Sequence, residues 1–305
     1  MTSALSPDVV SAIDDLELAA RLVVEGLRAG SHRSPFHGYS SEFQQHRPYR
    51  VGDDLKYLDW KLLARTDRLY TRQFRETTSM SVMLVVDGSA SMAFPEAGVS
   101  KWCYATIVAA SLAHLIVSQG DAVGLLAMAD NRMTYLPAKG GRPHLRSMIA
   151  TIDRIQPAGT WSPARGISRG AELLKRRGVV IVISDFQDVE ADTHRELRRV
   201  ASHGHDVAML QVIAPDESHF PYRGDIEFED MESGERRVID ASTVAGPYRA
   251  AFDNFLTRSR DNALRDHVDY ALMNTGTPPG PALRDFLMRR GAKPGGHHAG
   301  TRNTP

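Results

Sequence analysis

The chain has 305 residues, 37 Lys and Arg against 37 Asp and Glu, and a single cysteine, Cys103. A formal charge of zero argues against a general nucleic-acid or anionic-membrane binder, since such proteins use excess Lys and Arg to displace counterions. One cysteine excludes an internal disulfide framework and a cysteine-rich zinc or iron–sulfur centre, and 42% hydrophobic with 24% charged residues is an ordinary globular composition.

In chain order, Asp8 to Leu27 reads as an amphipathic helix, with no Lys or Arg before Arg21 and no early apolar run of the signal-peptide kind. From Gly30 to Asp59 the chain is rich in Gly, Ser, His, Pro and Tyr, and Phe36, Tyr39, Phe43, Tyr49, Tyr57 and Trp60 mark it as packed, ordered coil. Ser81 to Val86 (SVMLVV) is a short apolar run rich in β-branched residues, the pattern of a strand buried on both faces. Trp102 to Ser118 follows with helical spacing, and Asp121 to Ala129 reads as a second buried strand. Beyond a Gly-Gly pair, helices are expected over Pro143 to Ile155 and Pro163 to Arg177, the latter begun by proline and stopped at Gly178. Val179 to Ser184 is a strand, Asp192 to Ser202 a helix and Asp206 to Ile213 a last strand. Asp225 to Asp230 and Arg236 to Ile239 look like a polar hairpin, Pro247 to Asn274 like a long helical region, and Pro281 to Arg290 like a final helix.

Strands alternating with helices argue for an α/β fold, a doubly wound and mostly parallel sheet with helices on both faces. The expected division is an N-terminal segment over 1–80, the core over 81–213, a hairpin and helical extension over 214–290, and a disordered tail over 291–305. Cys103 to Val117 is shorter than the roughly 20 apolar residues of a spanning helix and is broken by Thr106, Ser111 and His114. It reads as a core helix with no membrane span, and the expected location is the cytoplasm.

In a doubly wound sheet, ligands bind at the carboxyl ends of the strands. There the first core strand runs into Asp87-Gly88-Ser89-Ala90-Ser91, whose alternate residues offer one carboxylate and two hydroxyls to a common point. Thr160 adds a hydroxyl from the loop before the Pro163 helix, with Ser162 as its rival, and Asp185 adds a carboxylate after Val179 to Ser184. Such an all-oxygen set suits Mg²⁺ or Mn²⁺. Five protein groups leave an octahedral ion one ligand short, a position that a carboxylate from another molecule can fill.

These residues resemble the metal-ion-dependent adhesion site of von Willebrand factor type A domains: a first-loop Asp-x-Ser-x-Ser, a second-loop Thr and a third-loop Asp. Asp87, Ser89, Ser91, Thr160 and Asp185 match it in order, while Phe186 stands where many members have glycine. Ahead of them lie His37-Gly38-Tyr39, Tyr49-Arg50-Val51-Gly52-Asp53-Asp54, Leu58-Asp59-Trp60, Ala64-Arg65 and Arg72-Gln73-Phe74-Arg75-Glu76. That series is similar to domain-of-unknown-function family 58, whose members join such a segment to a von Willebrand type A core. The resemblance implies a non-catalytic partner of a MoxR-type AAA+ ATPase, acting in assembly or maturation of other proteins.

The competing reading is a divalent-metal-dependent phosphohydrolase, but haloacid dehalogenase-type enzymes need a second Asp where Ser89 stands. Neither a Gly-x-Ser-x-Gly elbow nor a P-loop is present. His203, His205, His297 and His298 lack a partner pair at zinc spacing, and Cys103 reads as an inert, buried thiol. Asp53, Asp54, Asp59 and Trp60 are expected to tie the N-terminal segment to the core, and Arg65, Arg68, Arg72 and Arg75 to guard an edge strand rather than to bind nucleic acid. The neutral total conceals 11 basic against 7 acidic residues in 21–80, and 9 acidic against 3 basic in 216–240, which are read as solvated faces.

Overall fold

The structure, a computed structural model, describes residues 6–13, 15–28, 38–50, 58–78, 80–95, 97–187 and 191–291. The chain forms two compact units, one of residues 36–80 and the other of residues 1–35 with 81–305. The smaller unit is an antiparallel pair, β1 (Gly38–Pro48) with β2 (Tyr70–Thr78), and a short helix α3 (Trp60–Thr66). Asp59 caps that helix by accepting a hydrogen bond from the Leu62 amide at 3.0 Å. The expected coil over 30–59 is thus corrected to include a strand: its polar, irregular residues satisfy their backbone in a hairpin-like pair with two register shifts.

In the larger unit six strands form one sheet in the order β10-β7-β6-β3-β4-β5. They are β3 (Ser81–Asp87), β4 (Ala122–Ala129), β5 (Arg132–Lys139), β6 (Val179–Ser184), β7 (Asp206–Ile213) and β10 (Asp269–Asn274). All neighbours are parallel except β4 and β5. Counted from β3, this is the doubly wound order 3-2-1-4-5-6 with its third strand reversed. β3 is the switch point, because the chain winds from it toward β4 and returns on its other side to β6.

The apolar runs of β3, β4, β6 and β7 are buried on both faces because helices cover both. On one face Met83, Val85, Val180, Val182 and Met209 pack with Ile167 of α6 (Pro163–Glu172), Leu197 and Val200 of α7 (Ala191–Ser202), and Ala263 of α9 (Ala241–Arg265). On the other lies α4 (Lys101–Ser118), surrounded by α1 (Pro7–Ser11), α2 (Leu16–Arg28), α5 (Arg142–Asp153) and α10 (Pro279–Gly291). Helix α4 is long and apolar enough to cross a membrane, yet 72% of it is buried in the fold, as suits a core helix. The fold class read from the sequence holds: the sheet is mixed but mostly parallel, with helices on both faces.

Several expected elements differ in extent. The first helix is two, α1 and α2, and the helix begun at Pro163 ends at Glu172 rather than Arg177. The helical region 247–274 starts earlier, at Ala241, with Pro247 inside it, and ends at Arg265; Asp269–Asn274 is a strand that adds to the sheet beside β7. A left-handed turn at His267 (φ 57°) separates helix from strand. The sheet therefore reaches beyond Ile213, its expected end. Strand β5 was absent from the expected elements because it is an edge, carries Pro137, and has no residue buried enough to show a core pattern. The hairpin is β8 (Asp225–Glu229) with β9 (Arg236–Asp240), and its acidic residues pair locally, Arg236 with Glu229 at 2.8 Å and Arg237 with Glu235 at 2.7 Å. The tail after Gly291 and the pair Asp53 and Asp54 lie outside the described residues.

Gly178 closes tightly on the start of β3. A Cβ there would collide with the carbonyl oxygen of Ser81, a backbone atom that cannot swing away. Gly178→Ala should therefore destabilise the protein by roughly 1–3 kcal/mol, the usual cost of overpacking, measurable as a lower urea midpoint with an unchanged m value.

Candidate metal and adhesion site

Asp87 ends β3 at the switch point and is only 1% exposed. Its Oδ1 accepts from the Ser89 amide at 2.8 Å, and its Oδ2 accepts from the Ser184 hydroxyl, at the end of β6, at 2.6 Å. The Ser89 and Ser91 hydroxyls lie 3.1 Å apart. Ser91 sits in a short 3-10 turn, Ala90–Ala93, that follows directly. The expected alternation thus brings one carboxylate and two hydroxyls to a single edge.

The loops around this edge are stitched by backbone bonds. Gly88 donates to Met128 O at 2.8 Å, Ala158 to Gly88 O at 2.9 Å, Ala90 to Gly159 O at 2.9 Å and Asp130 to Ala158 O at 2.6 Å. Gly88 has to be glycine, since a Cβ would lie 2.8 Å from Met128 O. Through these bonds the loop carrying Thr160 is fixed beside the 3-10 turn. The Thr160 side chain is exposed, and its hydroxyl donates to Asn131 Oδ1 at a long 3.4 Å. No hydrogen bond among the described residues links it to Asp87 or Asp185.

Asp185, 4% exposed, follows β6 and shares the edge with Asp87 closely enough that its charge acts on Asp87. The next residue, Phe186, has a left-handed backbone (φ 55°), a conformation that costs glycine nothing and a bulky residue much more. The buried ring, 1% exposed, holds phenylalanine there.

Two charged residues of the site were missed in the sequence. Lys101 Nζ donates to Asp185 Oδ2 at 2.6 Å and to Glu217 Oε1 at 2.6 Å, with Lys101 1% and Glu217 8% exposed. Glu217 lies on α8 (Pro215–His219), just after β7; its Oε2 accepts from the Ala214 amide at 2.7 Å, and its Oε1 also accepts from Gln187 Nε2 at 2.5 Å. Gln211 Nε2 donates to Asp185 O at 2.9 Å and is itself held by the Tyr270 hydroxyl of β10 at 2.9 Å. Glu217 was findable, because it occupies the carboxyl end of a parallel strand as Asp87 and Asp185 do. Lys101 was hidden by its place at the head of an apolar helix.

Asp185 and Glu217 face the buried Lys101 ammonium, and Asp87 lies close enough to Asp185 to feel its charge, so the four buried groups sum to a formal charge of −2 at the edge. Burial, and next the charge of Asp185, push Asp87 up to about 7 from its usual 3.8, against the opposing hydrogen bonds from Ser184 and Ser89. For Lys101, burial acts to lower the value, but Asp185 and Glu217 outweigh it and leave the ammonium raised. Among the described residues no three His, Cys, Asp or Glu side chains gather as metal ligands, so a cation here would depend on hydroxyl oxygens. The donor set fits a hard divalent cation in both atom type and charge: Asp87, Ser89 and Ser91 converge, and two positive charges balance the edge.

The family described as "Protein of unknown function DUF58" matches residues 45–262. The protein Rv1480 of Mycobacterium tuberculosis is 33% identical over 231 residues, which is 75% of this chain and 72% of its own length. Among solved structures, the conserved hypothetical protein BatB of Bacteroides thetaiotaomicron has a TM-score of 0.46 at 16% identity, over 69% of this chain and 98% of its own. The SpRpn10 VWA domain has a TM-score of 0.43 at 11% identity, over 68% of this chain and 94% of its own.

The raised Asp87 value has a consequence for stability. An acid that binds its proton more tightly folded than unfolded favours the fold at low pH and loses that contribution as pH rises from about 4 to about 7. At pH 8 with chelator, the buried charge of Asp87 opposes folding, so Asp87→Asn should raise the melting temperature, by the equivalent of a few kcal/mol at most. The gap should close as pH falls toward 4, which thermal melts across that range will read.

Proposed function

The chain belongs to the DUF58 family, and from that premise we propose that the carboxyl edge of its sheet is a metal-dependent docking site for a carboxylate of another protein. The observation that carries the reading is the convergence of Asp87, Ser89 and Ser91 at the switch point, next to Asp185, with a formal −2 left over. Asp87, Ser89 and Ser91 would hold Mg²⁺ or Mn²⁺ directly. Thr160 would contribute from the adjoining loop, and Asp185, already engaged by Lys101, through water. When bound, the ion supplies an electrophile for an incoming Glu or Asp. The hydroxyls add no charge, so the edge reaches neutrality without becoming anionic and does not repel that carboxylate.

The module is non-catalytic in this reading. The ammonium at the site is committed to two carboxylates, so it is not free to act as a general acid. The partner we infer is a MoxR-type AAA+ ATPase or the client that it remodels, in protein assembly or maturation and in the cytoplasm. The affinity would come from one ion-bridged carboxylate and the surface around it, with no nucleic acid involved.

Calorimetry tests the site. Asp87→Ala should abolish Mg²⁺ binding while the far-ultraviolet circular dichroism stays that of the parent protein; an unchanged affinity sinks the reading. Mg²⁺-dependent turnover of phosphate esters that disappears in Asp185→Ala would replace it with a phosphohydrolase. Chelator should release the captured partner in a pull-down.

A further inference from the structure

Lys101 sits where elementary electrostatics disfavours it. It is the first residue of α4, at the positive end of the helix dipole, and it is 1% exposed. Burying an ammonium costs several kcal/mol before compensation. A leucine or methionine would continue the apolar helix without that cost. What Lys101 has instead is a pair of short bonds to Asp185 and Glu217, each 2.6 Å, and the face of Phe94 with its ring centroid 5.9 Å from Nζ.

We propose that Lys101 and Glu217 set the electrophilicity of the metal edge: Lys101 is an internal counter-charge that fixes the net charge at −2, and so decides how strongly the ion-loaded site attracts a carboxylate. The inference rests on the docking reading above and adds a specificity-determining pair to it. With Lys101 in place, a divalent ion brings the edge to neutrality. Without it, the edge starts at −3, holds the ion more tightly, and remains anionic once loaded. With Glu217 neutral and Lys101 intact, the edge starts at −1, holds the ion less tightly and becomes cationic once loaded.

Metal affinity and carboxylate affinity must therefore move in opposite directions. A residue that only holds the loops together would make both worse when lost. Neither Lys101 nor Glu217 needs to touch the ion, because in a buried, poorly screened site a charge acts over several ångströms. Gln187 and Ala214, which donate to Glu217, keep that carboxylate in place.

The experiment uses the full chain at pH 8 with three variants: Lys101→Met, Glu217→Gln and the two combined. Mg²⁺ affinity is read by calorimetry, and acetate affinity by broadening of the acetate methyl resonance in the presence of the Mn²⁺-loaded protein. Lys101→Met should bind Mg²⁺ about tenfold more tightly and acetate about tenfold more weakly, and Glu217→Gln should do the reverse. The double variant, again −2 at the edge, should return both affinities to within about threefold of the parent, which also guards against a fold lost in Lys101→Met alone. Both affinities moving the same way, or neither moving, overturns the proposal while leaving the docking site intact. A parent protein that binds no Mg²⁺ overturns the docking reading itself.

Discussion

The buried contact of Lys101 with Asp185 and Glu217 is the interaction on which the carboxyl edge depends. It joins three elements that the chain order keeps far apart: the head of α4, the loop after β6 and the short helix after β7. Breaking one partner of such a triad leaves an uncompensated charge in a poorly solvated place, which is far more costly than losing a surface pair. The triad therefore fixes the relative positions of Asp185 and α8. Gln211 and Tyr270 extend the same network into β7 and β10, so even the outermost strand bears on the loop that carries Asp185.

This geometry follows from the winding of the sheet. Parallel strands bring their carboxyl ends to one side, and at the switch between β3 and β6 the covering helices diverge to opposite faces. The crevice left there is lined by polar residues at the strand ends, Asp87, Ser184 and Asp185 among them. Ser184 spans it, donating to Asp87 while accepting from the Phe186 amide at 3.0 Å. The apolar strands supply the rigidity, and the residues immediately after them supply the chemistry.

How much of this was legible in the sequence depends on how local each signal is. β6 and β7 appear at their expected boundaries, because a short, mostly apolar run needs only local pattern to be recognised. Asp87, Ser89 and Ser91 were legible for the same reason. β10 was not, since Asp269–Asn274 has only two buried positions and continues the apolar spacing of the helix before it; its strand character comes from pairing with β7, 56 or more residues earlier. Lys101 was hidden by its context, as an isolated cation before an apolar helix reads as a solvated end. Its role depends on carboxylates 84 and 116 residues away, which only the fold brings to it.

The zero net charge of the chain now divides into two populations that behave differently. The exposed charges of the hairpin pair locally, as Arg236 and Arg237 do with Glu229 and Glu235, and salt screens exposed charges within roughly 8 Å. Four charges at the sheet edge are buried at 8% exposure or less and escape that screening. A sum over the sequence weights both populations equally, whereas the local field at the sheet edge is dominated by the buried four. Neutrality of the whole chain thus keeps nonspecific attraction low, and in the docking reading it is the local imbalance at the switch point that would select the ligand.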